Sequence, residues 1–133
     1  MPKKLSNKRL HDVNSPQIGL SFAAVAALAR EFPEVVESTS YGTKALKVGK
    51  TLIARIWDDD ETLVLKMDIV SRDLILTAHP DVFYLTDHYR DYPYVLVRLG
   101  RIGANQMREL LDDAWRLAAT RRMIAARDGR AAR

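Results

Sequence analysis

Three short runs rich in apolar residues, 43–48, 51–57 and 62–67, lie in the centre of the chain. Gly49 and Lys50 separate the first two runs, and a two-residue turn of type II′ favours glycine at its first central position. The acidic run 58–61 separates the second from the third, and aspartate favours turns because its side chain bonds nearby backbone groups. The pattern therefore predicts three antiparallel strands joined by two tight turns.

These two turns set a strand register. If Val48 lies opposite Thr51, then Lys44 lies opposite Arg55, and the second turn places Arg55 opposite Val64. Residues directly opposite one another share a face of the sheet, so the register predicts two faces. The predicted core face contains Ala45, Leu52, Ala54, Ile56, Leu63, Leu65 and Met67, with Lys47 as its only charge. The predicted outer face contains Lys44, Leu46, Val48, Ile53, Arg55, Trp57, Val64 and Lys66.

Helical spacing of apolar residues flanks this centre on both sides. Ser21 suits the N-cap of a first helix, which ends before Pro33. Ser71 suits the cap of a short second helix. A long final helix is predicted from residue 104 to residue 126, with Trp115 near its apolar stripe and therefore in the core.

Further strands are predicted at residues 83–86 and 94–99, whereas residues 35–41 fit either a loop or an edge strand. The element order is then α-β-β-β-α-β-β-α. It predicts an α+β fold: a two-layer domain with an antiparallel sheet of about five strands covered by helices. We expect a flexible basic arm at 1–20, a single domain at 21–126 and a basic C-terminal tail at 127–133.

Composition narrows the function classes. A chain of 133 residues is the usual size of one domain. It has no cysteine, which excludes disulfides and sulfur-bound zinc. No apolar run approaches the roughly 20 residues needed to cross a bilayer, and the basic start lacks the apolar segment of a signal peptide. We therefore expect a cytoplasmic protein without membrane contact.

The net charge of +4 comes from the two ends of the chain. Residues 1–12 carry four basic residues and one acidic residue, and residues 116–133 carry six and one. Residues 13–115 carry 11 basic and 15 acidic residues, a net of −4. Basic ends can add sequence-independent affinity for phosphate, and they can equally serve solubility alone.

Several stretches resemble the YjbR/MmcQ family of small bacterial proteins. They are GTKALKVGK (42–50), Leu65-Lys66, HPDVFYLTDHYRDYPYVLVRL (79–99) and ELLDDAWRLAA (109–119). The resemblance covers roughly residues 20–120. It implies a two-layer domain with an antiparallel sheet, similar to secretion-chaperone-like folds. It also implies DNA binding, by analogy of the hairpins with a double-wing DNA-contacting motif, and it carries over no catalytic residue.

The predicted outer face is the first candidate site. Lys44, Arg55 and Lys66 would form a basic row that Trp57 ends, and Lys50 would stand at the tip of the first hairpin. Cations bind phosphate, tryptophan stacks on bases, and a two-stranded ribbon fits a major groove, so double-stranded DNA is one predicted partner. The apolar residues on the same face fit a protein partner or a homodimer equally well.

A small-ligand pocket is the other candidate site. Tyr41 and Thr43 would flank it at Gly42, and His88 and Tyr89 would line it from the 87–94 segment. The three histidines are scattered and the acidic turn lacks the spacing of a calcium loop, so no metal site and no cofactor are predicted. We find no nucleophile motif or phosphate-binding glycine loop and expect a protein that is not an enzyme.

Overall fold

The chain folds as one antiparallel sheet with helices on one face, in a computed structural model that describes residues 18–131, with side chains through residue 129. The sheet has six strands in the order β1-β2-β3-β4-β6-β5. The strands are β1 (Val35–Ser40), β2 (Thr43–Val48), β3 (Thr51–Ile56), β4 (Thr62–Lys66), β5 (Phe83–Tyr84) and β6 (Tyr94–Arg98). The helices are α1 (Phe22–Ala29), α2 (Ile69–Ala78), α3 (Ala104–Ala118) and α4 (Arg121–Ala131). The predicted α+β class is confirmed, and the added strand is β1, where the sequence left loop and edge strand open.

The main core lies between one face of the sheet and helices α1 and α3. Trp115 is fully buried there, donates its indole N–H to the Pro33 carbonyl at 2.9 Å and lies 6.2 Å from the Phe32 ring. A buried tryptophan needs such a polar partner. Trp115 is therefore a core residue, as the sequence predicts.

Side chains with oxygen acceptors cap the starts of α1, α2 and α4. Ser21 caps α1 as predicted, accepting a hydrogen bond from the Ala24 amide at 3.1 Å. The predicted cap at Ser71 is wrong: Asp68 caps α2, and its carboxylate accepts from the Ser71 amide and hydroxyl at 2.9 and 2.8 Å. The predicted single helix 104–126 is also wrong. It divides at the extended residue Ala119, after which the hydroxyl of Thr120 accepts from the backbone of the next helix.

A β-bulge in β3 changes the predicted register. Val48 does lie opposite Thr51, but Leu46 lies opposite Ala54, which leaves Ile53 as an extra residue. Two residues on the bulged strand then oppose one on its partner, and the alternation of faces shifts. Beyond the bulge Arg55 lies opposite Ala45, so the predicted pairing of Lys44 with Arg55 is wrong.

The faces of β2 are consequently reversed. Leu46, Val48 and Ile53, all predicted on the outer face, belong to the main core, whereas Ala45 does not. Lys44 lies beside α1, in a shallow hollow with Phe22. From Arg55 onward the β3–β4 register is as predicted, with Arg55 opposite Val64.

Backbone hydrogen bonds and helix extend past both limits of the predicted domain, 21–126. Of the predicted arm, residues 1–17 lie outside the described residues, but the Gly19 and Leu20 amides donate to the Ile102 and Leu99 carbonyls at 2.9 Å each. Helix α4 continues to Ala131, beyond the predicted tail boundary. No helix within residues 18–131 is both long enough and apolar enough to cross a bilayer.

Candidate functional site

The outer face of the sheet, opposite the main core, is covered in part by the segment that joins β5 to β6. We call this segment, residues 85–93, the covering loop. Its Tyr89 is buried against Val64 and Leu96, in a second and smaller apolar cluster. Half-buried side chains pack around that cluster: Trp57, Tyr84, Leu85 and Tyr94. The outer face is therefore a packed surface rather than the open basic ribbon that the predicted register implies.

Arg55 lies under this loop. Its side chain is 6% exposed. Its Nε donates to the Tyr89 hydroxyl at 3.1 Å, and its Nη1 donates to the Thr43 hydroxyl at 3.0 Å. The Thr43 hydroxyl in turn donates to the Ser40 carbonyl at 2.9 Å. The ion pairs within residues 18–131 do not include Arg55, so its charge is held by neutral oxygens alone.

Two aromatic rings flank the guanidinium. Its carbon atom lies 5.0 Å from the centroid of Tyr41 and 5.1 Å from that of Trp57. Cation–π contacts of this kind contribute about 0.5–2 kcal/mol, more when the cation is desolvated. Since Tyr41 is 77% exposed, one side of this arrangement faces solvent.

The exposed rings of Tyr41, His88 and Tyr92 meet beside Arg55, and we call these three residues the aromatic patch. His88 lies 6.4 Å from Tyr41 in an edge-to-face arrangement and 6.4 Å from Tyr92 at a tilt of 33°. The buried Tyr89 supports it from below at 4.6 Å. The patch thus joins the β1–β2 turn to the covering loop and presents ring faces to solvent.

The turn that carries Tyr41 is strained. Tyr41 has φ +52° and Gly42 has φ +79°, the sign that a type I′ turn requires at both central positions. Asparagine, aspartate and glycine are the residues that favour this conformation, and a bulky side chain there is an outlier. Such outliers cluster at functional sites, where the surrounding structure supports the strain. The observation favours a role for the Tyr41 ring.

Arg72 of α2 holds the covering loop in place. It is 4% exposed, and its Nη1 donates to the Tyr89 and Tyr92 carbonyls at 3.2 and 2.8 Å, while its Nη2 donates to the Arg90 carbonyl at 3.0 Å. Sequence reasoning missed this residue. The sequence shows only a basic residue within a short, otherwise amphipathic helix. Basic residues in such helices are usually exposed, so the pattern did not indicate a buried role.

The predicted nucleic-acid-binding row does not form. Lys44 lies on the helix side of the sheet, and Lys50 is exposed at the tip of the β2–β3 turn. Lys66 is half-buried with its Nζ 5.0 Å from the Tyr94 ring, and burial lowers the pKa of Lys66. Arg55 and Trp57 do lie on the outer face, beneath or beside the covering loop.

The structure instead joins the two sets of residues that the sequence kept apart. Tyr41, Thr43, His88 and Tyr89, predicted to line a small pocket, surround Arg55 through the contacts given above. They come together because Gly42 turns β1 into β2 at the same end of the sheet that the covering loop crosses.

The acidic turn 58–61 has a structural role through Asp59. Its carboxylate accepts from the Glu61 amide, the Thr62 amide and the Thr62 hydroxyl, each at 2.9 Å. Partial burial opposes the change, but these hydrogen bonds lower the pKa of Asp59. Among the described residues, His, Asp and Glu side chains form no group of three or more that could hold a metal.

Comparison with known proteins supports the resemblance seen in the sequence. Uncharacterized proteins of Mycobacterium bovis and Mycobacterium tuberculosis are 35% identical over 52 residues, 39% of this chain, and the chain spans 40% of the length of these relatives. The crystal structure of a Deinococcus radiodurans protein with a DUF419 domain has the same fold. It superposes with a TM-score of 0.66 at 23% identity over 80% of this chain and 84% of that one. The YjbR family model matches residues 30–117, more than half of the sequence, and the chain therefore belongs to the YjbR family.

Proposed function

We propose that this chain is a non-enzymatic nucleic-acid-binding protein and that the aromatic patch, with Arg55 beside it, is its contact surface. One observation carries the proposal. Three exposed aromatic rings from two separate segments meet next to an arginine that has no carboxylate partner within residues 18–131. An aromatic face and a cation are the two groups that a nucleotide needs, one for the base and one for the phosphate.

Base stacking and phosphate contacts at this surface would each contribute measurably to the free energy of binding. Stacking of one base on an aromatic side chain contributes about 1–3 kcal/mol. Arginine binds phosphate through paired N–H groups, in a geometry that lysine does not reproduce. The basic residues of 1–12 and 116–133 would add affinity that falls as salt rises, because each phosphate contact releases counterions.

This surface differs from the hairpin face expected from the sequence. A major-groove ribbon would need Lys44, Arg55 and Lys66 side by side, and the bulge in β3 turns Lys44 to the helix side. The proposal therefore retains nucleic acid as the partner and replaces a row of lysines with stacked rings and one arginine.

The experiment compares two single changes by fluorescence anisotropy with labelled DNA across a range of salt concentrations. We expect Tyr41→Ala to weaken binding about tenfold, the effect of one lost stacking contact. The matched control is Lys50→Ala, an exposed residue away from the patch, which should change affinity by less than about twofold.

Two outcomes would overturn the proposal. Absence of DNA binding by the full chain at low ionic strength is one of them. Unchanged affinity for Tyr41→Ala, with or without a loss for Lys50→Ala, is the other, because the DNA would then bind without the aromatic patch. Sedimentation of the pure protein with and without DNA then tests the remaining alternative, a protein–protein contact. A dimer that DNA leaves unchanged, and that Trp57→Ala weakens, would favour it.

A further inference from the structure

We infer that the aromatic patch binds a single unpaired nucleotide, with the base on the Tyr41 and His88 rings and a phosphate oxygen on Arg55. The inference rests on the proposed function and deepens it, because it selects single-stranded over double-stranded nucleic acid. Its basis is the unused hydrogen-bonding capacity of a buried cation next to open ring faces.

Arg55 has N–H donors that the described residues leave unused. A guanidinium carries five N–H groups, and the described residues accept only one from Nε and one from Nη1. Within residues 18–131 the other terminal nitrogen, Nη2, donates no hydrogen bond. Burying a charge without a counter-charge is costly, so an anion that reaches Nη2 would relieve a cost already present in the fold. Among anions, phosphate suits the planar fork of arginine.

The ring faces lie within reach of that anion. Tyr41 covers the guanidinium at 5.0 Å with one side of its ring and is 77% exposed, which leaves the other side for a planar ligand. His88 stands at 87° to Tyr41, so the two rings form a corner rather than a flat platform. A corner of this shape contacts one base by face and by edge, and it does not accommodate a continuous stack.

Unpaired nucleotides fit this corner better than a duplex does. Both faces of a base inside a duplex are occupied by its neighbours, so an aromatic side chain reaches only a base that is unpaired or flipped out. The charges of the covering loop also disfavour a duplex. Arg90 is engaged by Asp87, and the exposed Asp91 follows it, so the covering loop offers little attraction to a continuous row of phosphates.

The test uses the full chain and fluorescence anisotropy with labelled oligothymidylate, a hairpin duplex of equal length, and an abasic strand of the same backbone. We expect the single strand to bind at least tenfold more tightly than the duplex, and the abasic strand to lose about tenfold, the effect of one stacked base. In competition, thymidine monophosphate should displace the strand, whereas thymidine should require at least tenfold more.

Variants assign the two contacts. Tyr41→Ala and His88→Ala should each remove most of the difference between the normal and the abasic strand. Arg55→Lys should remove the advantage of thymidine monophosphate over thymidine, because a lysine lacks the fork. Circular dichroism reports whether Arg55→Lys folds. If it does not, the competition between thymidine and thymidine monophosphate with the wild-type chain alone decides the phosphate contact.

The outcomes separate this inference from the proposed function. Equal binding of single strand and duplex, with a loss on Tyr41→Ala, would overturn the inference and leave the nucleic-acid proposal standing. Equal competition by thymidine and thymidine monophosphate would overturn the Arg55 contact. Binding to neither strand nor duplex would overturn both.

Discussion

Replacing Arg72 with methionine tests what holds the covering loop on the outer face of the sheet. Arg72 reaches from α2 to three carbonyls of the loop, and it also lies 3.4 Å from the Tyr94 carbonyl. Methionine keeps much of the volume of the aliphatic stem and removes every donor. The change therefore isolates the hydrogen bonds from the packing.

The size of the effect follows from two of these contacts. The bonds to the Tyr92 and Arg90 carbonyls, at 2.8 and 3.0 Å, have good geometry and a charged donor, and each such bond contributes about 1.5–3 kcal/mol. The longer bonds add little. Removing a buried guanidinium returns part of this free energy because its desolvation cost disappears. We expect Arg72→Met to lower the free energy of unfolding by about 3 kcal/mol.

Urea titration followed by circular dichroism measures that difference. The matched control is Asp73→Ala, since Asp73 is exposed and its carboxylate is 3.6 Å from the Arg72 Nε. It should change the free energy of unfolding by less than about 0.5 kcal/mol. Hydrogen exchange adds a local readout, in which the Tyr89 and Tyr92 amides of Arg72→Met should exchange faster. A change below about 1 kcal/mol for Arg72→Met, with the amides still protected, would refute the assignment of Arg72 as the residue that holds the loop.

Three further changes test individual elements of the fold. Asp68→Ala removes the α2 cap and should cost about 1 kcal/mol at neutral pH in urea titrations. Hydrogen bonds from Ser71 lower the pKa of Asp68, so its contribution is complete above the unfolded value of about 4 and is lost as pH falls through the lower folded value. The difference from wild type should therefore shrink below about pH 4 and stay constant above it. Gly49→Ala, at φ +61°, should cost about 1 kcal/mol by the same method, and a neutral result would contradict the assigned turn. Trp115→Phe leaves the Pro33 carbonyl without its donor and should lower the free energy of unfolding by about 1–3 kcal/mol, whereas no change would show that water replaces the indole.

The sequence predicted the two tight turns and the β3–β4 register because turn chemistry and alternation act over a few residues. It missed the bulge at Ile53, which a strict period of two does not contain. The predicted faces of β2 did contain one sign of the bulge. The predicted register placed Lys47 inward and turned Leu46 and Val48 outward, and a bulge in β3 resolves this conflict.

The sequence did not predict how the residues of the candidate site are arranged around Arg55. Tyr41, Thr43, His88 and Tyr89 were named together, and the structure brings them together, although their function as a site stays a prediction. The burial of Arg55 was not foreseeable from local pattern, because it depends on a loop more than 30 residues later in the chain. The prediction placed Lys44 on the wrong face of the sheet. The extra residue in β3 reverses the two faces of β2, and Lys44 lies on β2.

Strand β1 is one of the two places where a strand of another chain could extend this sheet. It lies at the edge of the sheet, and an edge strand exposes backbone groups that could pair with another chain. Its middle carries Glu37, bound by Arg30 at 2.6 Å. Two β1 strands paired antiparallel about Glu37 would place like charges directly opposite one another, which is destabilising. At the other edge β5 has only two residues. Neither edge therefore favours strand pairing with a second copy of the chain. We expect the protein not to aggregate through its sheet edges at the concentrations that binding titrations require. Measured affinities should then report binding to one molecule and not to a fibre or an aggregate.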